Sequence, residues 1–205
     1  MRRSCVVLFS LAISIPALKA DRLQAPGSGW IMTPTPPRTL KTLYWKQANQ
    51  TEVWVQFAPR SPQGETIPAA LIFVVLFSGD VTRTGAISGP PNELTVQAQA
   101  SAQAFHVVPT LKFVPSGGRE IDLTSPSSSF STGMSCAGCG VTSVRATLDA
   151  KVLQTLAGSA SMSAEVLGMR CELDRADMVA LTKFAQFVHV MEPPPSSARP
   201  WSSAL

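Results

Sequence analysis

The chain has 205 residues, a length that suits one domain with tails. Its 17 Lys and Arg against 13 Asp and Glu give a formal net charge of +4, but Arg2, Arg3 and Lys19 all sit in the first twenty residues. Removing those three leaves 14 basic residues, a near-neutral chain that gives no electrostatic reason to invoke nucleic acid or an anionic membrane surface.

Those first twenty residues read as a secretory signal peptide. Arg2 and Arg3 form a basic start, residues 5–15 an apolar core, and residues 16–20 a break ending in the small Ala20. The apolar segment is shorter than the roughly 20 residues a helical span needs, so the mature form is expected to have no transmembrane span. Cleavage near Ala20 predicts an exported protein, periplasmic or extracellular and bacterial in style. Beyond the leader remain Cys136, Cys139 and Cys171. An oxidising compartment permits a disulfide, and the odd count leaves one thiol over or brings in a partner chain.

Residues 21–40 are rich in Pro and Gly, a composition that cannot hold a ladder, and they predict an extended lead-in. Trp30 and Met32 are the residues that could pin it to the core. Residues 41–47 predict a strand and 48–50 its turn. In residues 51–58, Val53, Val55 and Phe57 alternate with Glu52, Trp54 and Gln56, the pattern of a strand with one covered face. After a Pro-, Gly- and Ser-rich loop comes the longest apolar run of the mature chain, Ala69-Ala70-Leu71-Ile72-Phe73-Val74-Val75-Leu76-Phe77. It is too short to cross a bilayer and matches a strand of roughly 30 Å, covered on both faces for most of its length.

Residues 93–102 alternate again, with Leu94, Val96, Ala98 and Ala100 predicted inside and Thr95, Gln97 and Gln99 facing water. Residues 105–114 predict a further strand, with Pro109 marking an edge or bulge. Ser116-Gly117-Gly118 predicts a hairpin joining residues 111–114 to 121–123. Residues 125–140, low in complexity, predict a mobile surface loop carrying the two close cysteines. A strand at 141–148, a short helix at 149–158 and strands on either side of Gly168 follow, the phase change there predicting a hairpin turn or bulge. The final helix is placed at 174–190, with Asp174 as N-cap, Asp177 in its first turn, and Met178, Leu181, Ala185 and Val188 on one face. Residues 192–205 predict a disordered tail.

The closing pattern, with Leu156, Gly168-Met169-Arg170-Cys171-Glu172-Leu173, Asp177, Ala180-Leu181 and Phe184-Ala185, resembles the C-terminal ends of uncharacterised exported bacterial proteins. Those pair a strand hairpin with a final helix, and the likeness covers about the last 70 residues. It implies a β-sandwich closed by a helix and no particular activity.

Few residues carry chemistry. Cys136-Ala137-Gly138-Cys139 has the spacing of a redox pair, but Gly140 and a strand-like stretch follow it. The helix N-terminus that would stabilise a thiolate is therefore missing. The pair reads as a structural disulfide or, alternatively, a thiol–disulfide switch; zinc would want four ligands, and Cys171, His106 and His189 are scattered. Cys171, in phase with Met169 and Leu173, reads as a small buried hydrophobe. No Gly-x-Ser-x-Gly turn, phosphate loop or His-Glu-x-x-His helix occurs. His189 fits a cation at a helix C-terminus, and Glu120 and Asp122 a solvated strand edge. Trp45 and Trp54, at strand positions, are candidates to bind a glycan or a protein partner.

The sequence therefore predicts a mostly β chain: an antiparallel β-sandwich of about seven to nine strands over residues 41–191, with one short helix and a closing helix. Its expected role is a non-enzymatic envelope or secreted binding or structural module using a sheet face or edge, without metal or cofactor. The alternative is a thiol–disulfide redox protein acting through Cys136 and Cys139.

Overall fold

The computed structural model describes residues 37–81, 91–101, 108–124, 129–136 and 139–189, with side chains left out at 101, 129–136 and 139–141. The expected signal peptide, most of the lead-in, the tail and His106 lie outside the described residues.

Two antiparallel sheets form the architecture. The larger has strand order β1(Leu40–Trp45), β2(Gln50–Phe57), β3(Ala69–Ser78), β4(Glu93–Ser101), β8(Cys139–Thr147), β7(Ser129–Cys136). The smaller has order β10(Met169–Leu173), β9(Met162–Val166), β5(Leu111–Pro115), β6(Ile121–Asp122). Nine of these strands have five residues or more and β6 has only two, so the mostly-β sandwich-like class stands as the alternation predicted. Helices α1(Ala150–Ala157) and α2(Arg175–Phe187) complete the described chain.

The apolar run is β3, inside the larger sheet between β2 and β4. Its odd positions Leu71, Phe73, Val75 and Phe77 face the main core with Val53, Val55 and Phe57 of β2. Across that core stand Leu111, Phe113, Met162 and Leu173 of the smaller sheet and Leu181 and Phe184 of α2. Phe73 is the meeting point. Its ring centroid lies 5.9 Å from Phe57 (edge-on), 6.2 Å from Phe113 and 6.5 Å from Phe184, so one side chain joins both sheets and a helix. Edge-on and tilted rings at such separations suit the aromatic quadrupole.

Local signals place the ends of elements. Asp174 caps α2 by accepting from the Ala176 and Asp177 N–H groups, and Asp177 Oδ2 accepts from the Asp174 N–H at 3.0 Å, a reciprocal capping box. Asp149 caps α1 by accepting from Lys151 N at 2.7 Å. Thr182 Oγ1 donates to Ala157 O at 2.7 Å and fastens α2 to the end of α1. The hairpin predicted at Ser116-Gly117-Gly118 is the β5–β6 pair, with Lys112 opposite Asp122. At Gly168 the hairpin turn wins over the bulge: Val166 pairs with Met169, and Leu167 (φ 53°) and Gly168 (φ 78°) form the two-residue turn between.

Three expectations need correcting. The loop predicted over 125–140 contains a strand, since Ser129–Cys136 pairs with β8 along the sheet edge. A ladder is made by backbone groups, and an edge strand of Ser, Thr and Gly offers them as well as an apolar one does. Of the strand predicted over 105–114, residues 105–107 lie outside the described residues, 108–110 are not strand, and the strand is Leu111–Pro115, with Pro109 unable to donate to a ladder. Thr95 and Gln97, expected in water, are buried.

Candidate functional site

The site grows from the even positions of β3. Ala70, Ile72, Val74 and Leu76 point away from the main core, yet Ile72 is 0% exposed and Val74 4%. Register carries this face sideways. Trp54 and Gln56 of β2 stand opposite Val74 and Ile72, and Glu52 stands opposite Leu76. On the other side Thr95 and Gln97 of β4 stand opposite Val74 and Ile72, and Arg145 of β8 lies beyond Gln97. Leu43 and Lys41 of β1 flank Glu52 and Trp54.

The outer cluster of Trp54, Ile72 and Val74, with Ala70 against it, draws every member from β2 and β3. The second sheet and both helices contribute to the inner core instead.

Trp45 and Trp54 share this face, but the two indoles differ in what they bond. Trp45 Nε1 donates to Glu52 Oε2 at 3.0 Å. Trp54 Nε1 is buried and, among the described residues, has no hydrogen-bond partner; the same holds for Gln56 Oε1. One unmet donor and one unmet acceptor thus stand two residues apart on one strand face. An unpaired buried group costs about 1–3 kcal/mol, so this pair of atoms is the polar feature of the face that calls for a partner.

Glu52 is the titratable centre of the face. Burial pushes its carboxyl above the usual carboxylate range, opposed by the hydrogen bond from Trp45 and by the charge of Arg145. Arg145 Nη2 donates in turn to Glu93 Oε1 at 3.1 Å. The arrangement places an apolar floor, an indole N–H and an amide oxygen that are unpaired among the described residues, and a carboxyl raised by burial on one sheet face.

Alternation assigned Thr95 and Gln97 to water, and no reading singled out Glu52 or Arg145, of which Glu52 is buried and Arg145 half-buried. A signal was present nonetheless. A run as unbroken as β3 needs cover on both faces, and cover over β3 extends to the cross-strand neighbours beside it.

Cys136 and Cys139 face each other in register at the end of the β7–β8 hairpin, with the ladder shifted between Met134 and Cys136. Their side chains lie outside what is described. The chain continues from Cys139 as a strand, so the helix dipole that lowers a thiol pKa in redox enzymes is missing from this segment. Cys171 is 1% exposed within the main core, its thiol pushed up to about 12 by burial and then by neighbouring Glu172. It is a core hydrophobe, as its phase indicated. His189 follows α2 with φ 57°.

On the opposite side of the molecule, the outer face of the smaller sheet holds an open recess of about 370 Å³. Arg170, Glu165, Lys112 and Asp122 alternate in sign across its four strands. Lys112 Nζ lies 3.4 Å from both Glu120 and Asp122. Glu120 and Asp122 thus hold a lysine as well as facing water. No group of three His, Cys, Asp or Glu suited to a metal ion occurs among the described residues.

Comparison with protein-family models, with curated proteins and with solved structures finds no match to this chain.

Proposed function

We propose that the chain is an exported, non-enzymatic binding module of the envelope or extracellular space, and that the outer face of its larger sheet receives an extended segment of a partner protein. The observation that carries this reading is Trp54 Nε1 and Gln56 Oε1, unpaired among the described residues, beside the apolar floor of Ile72 and Val74. A peptide backbone supplies a carbonyl and an N–H at close spacing, and its side chains supply the apolar contact. A glycan fits less well. Stacking on sugar needs an open ring face, whereas Trp54 is 7% exposed and the Trp45 indole N–H is committed to Glu52.

The test uses p-benzoylphenylalanine incorporated at Leu43, 42% exposed and flanking Glu52 on this face, or at Val114, 38% exposed on the other sheet. Irradiated in the native host, the Leu43 probe is expected to give an adduct with one discrete second polypeptide, and the Val114 probe none. Equal labelling from both positions, or adducts from neither, would overturn the reading.

The second reading is thiol–disulfide exchange through Cys136 and Cys139, favoured by their in-register placement at a hairpin end. It requires a solvent-accessible pair with a depressed thiol pKa. An ordinary pKa with no exchange activity disposes of it and leaves a structural clip.

A further inference from the structure

Among the described residues, the larger sheet ends in edge strands β1 and β7, and the smaller in β10 and β6. Three of these edges are blunted. Arg60 closes β10, donating its N–H to Glu172 O at 3.3 Å and accepting from Glu172 N at 2.8 Å. β6 has only two residues, and β7 carries a register shift between Met134 and Cys136. β1 has neither bulge nor proline, and Lys41, Thr42 and Leu43 in its middle are exposed on both faces. We propose that the β1 edge is an interface with a second copy of this chain, the two β1 strands pairing antiparallel about a two-fold axis at Leu43. This contact runs along the edge of the sheet and needs no occupant on the outer face.

The backbone has the groups for it. Gly79 N–H donates to Asn49 O at 2.7 Å across the β2–β3 register. Antiparallel ladders alternate, so Thr51, Val53 and Val55 turn their backbone groups toward β3, and Gln50, Glu52, Trp54 and Gln56 turn theirs toward β1. The bond from Arg38 N to Gln56 O at 2.7 Å agrees. Trp45, Leu43 and Lys41, opposite Gln50, Glu52 and Trp54, are thereby used inside the sheet. Leu40, Thr42 and Tyr44 are left with N–H and C=O groups directed out of the edge, a template that a second strand completes.

Self-complementarity fixes the register. A two-fold axis normal to the sheet pairs each residue with one on the same face, and faces alternate along a strand, so the axis passes through a residue. With the axis at Leu43, Leu43 meets its own copy, Thr42 and Tyr44 form the hydrogen-bonded pairs, and Lys41 stands opposite Trp45. Leu43, 42% exposed in one chain, is covered by that contact. Lys41 enters no ion pair among the described residues, and Trp45 Nε1 donates to the Glu52 carboxyl at 3.0 Å. The pairing sets an unpaired cation over an indole that is itself bonded to an acid, and does so twice about the axis. An axis at Thr42 would set Lys41 against Leu43 and leave this complementarity unused.

The test is sedimentation of the purified full chain over a concentration series reaching about 1 mM, since so short an interface is weak. A monomer–dimer equilibrium is expected, and a monomer at every concentration would overturn the inference. Thr42→Pro removes an N–H that no bond inside the sheet uses, so the chain is expected to keep its melting temperature and lose the dimer. Lys41→Glu changes only an exposed side chain and is expected to weaken the dimer on the order of tenfold. A dimer undiminished in either folded variant uses another surface and overturns the inference. Should Thr42→Pro fail to fold, Lys41→Glu decides alone. Register is read by cysteine pairing under mild oxidation. Leu43→Cys is expected to link two chains through position 43, and Thr42→Cys to give no link through position 42. Peptide mapping sets aside links through Cys136 or Cys139. A link through position 42, or none through position 43, would overturn the axis. Self-adducts of the benzophenone probe at Leu43 weigh twice the chain and are distinct from the partner adduct expected there, so dimer and binding face fail separately.

Discussion

Glu52 sits where a glutamine would cost less at neutral pH. Its folded pKa is raised chiefly by burial, so the folded state binds its proton more readily than the unfolded chain does. The sign follows directly: its contribution favours folding below the usual carboxylate range and is lost as pH rises through the folded pKa. Asp174 runs the other way. Its carboxyl is lowered, first by the hydrogen bond from the Asp177 backbone N–H, so its contribution is present above the usual range and lost on acidification. Melting curves from pH 4 to 7 should therefore show Glu52→Gln gaining on the parent as pH rises, with Tm values converging at the acid end. At the same scale, Cys171 should resist alkylation at pH 8 in the native protein and react fully once denatured, because it is 1% exposed with a thiol pushed up to about 12. Peptide mapping of iodoacetamide adducts reads this directly.

Among the elements, α2 depends most on a distant residue. Its N-cap and first-turn carboxylate were legible, since Asp174 and Asp177 stand three apart before an apolar stripe, and the structure adds the reciprocal bond. The Arg38 clamp on the same two carboxylates spans a separation of 139 residues and could not be read from local pattern. Asp177 is nearly buried, with 4% of its side chain exposed, whereas the Arg38 side chain is 38% exposed. Arg38→Ala is expected to cost about 1–2 kcal/mol in urea unfolding, less than orphaning a fully buried charge. The β9–β10 turn shows a different dependence. An added Cβ at Gly168 would meet Val108 no closer than 3.7 Å, so space permits it, but φ 78° does not. Gly168→Ala should destabilise by about 1–2 kcal/mol through backbone strain alone, checked in the same unfolding assay. Leu167 bears positive φ in the same turn because its side chain, 3% exposed, is held in the core. The β7 strand went unread because side-chain composition says little about an edge ladder formed by the backbone.

At the scale of the whole molecule, cohesion runs through Phe73, which joins β2, β5 and α2 in one aromatic group. Phe73→Ala should cost about 3–5 kcal/mol in denaturant unfolding, the range for emptying a large core site. An Ile72→Ala change one residue away opens the outer face instead, and its cost in the same assay compares the two faces directly. No described helix is long and apolar enough to cross a membrane.

The sequence by itself determined the strands with clean alternation, the two-sided burial of the apolar run, the cap at Asp174 with Asp177 in the first turn, and the turn at Gly168. Each of these depends on groups a few residues apart, so period, cap and turn chemistry are written locally. Tertiary structure decided which polar residues are buried. Alternation separates two faces of a strand but cannot say whether the second is also covered, and that is why Thr95 and Gln97 read as solvent-facing. It also decided that Arg38 meets α2 and that Trp54 stands against Val74 and Gln56 against Ile72, since register across strands is fixed only when the sheet assembles.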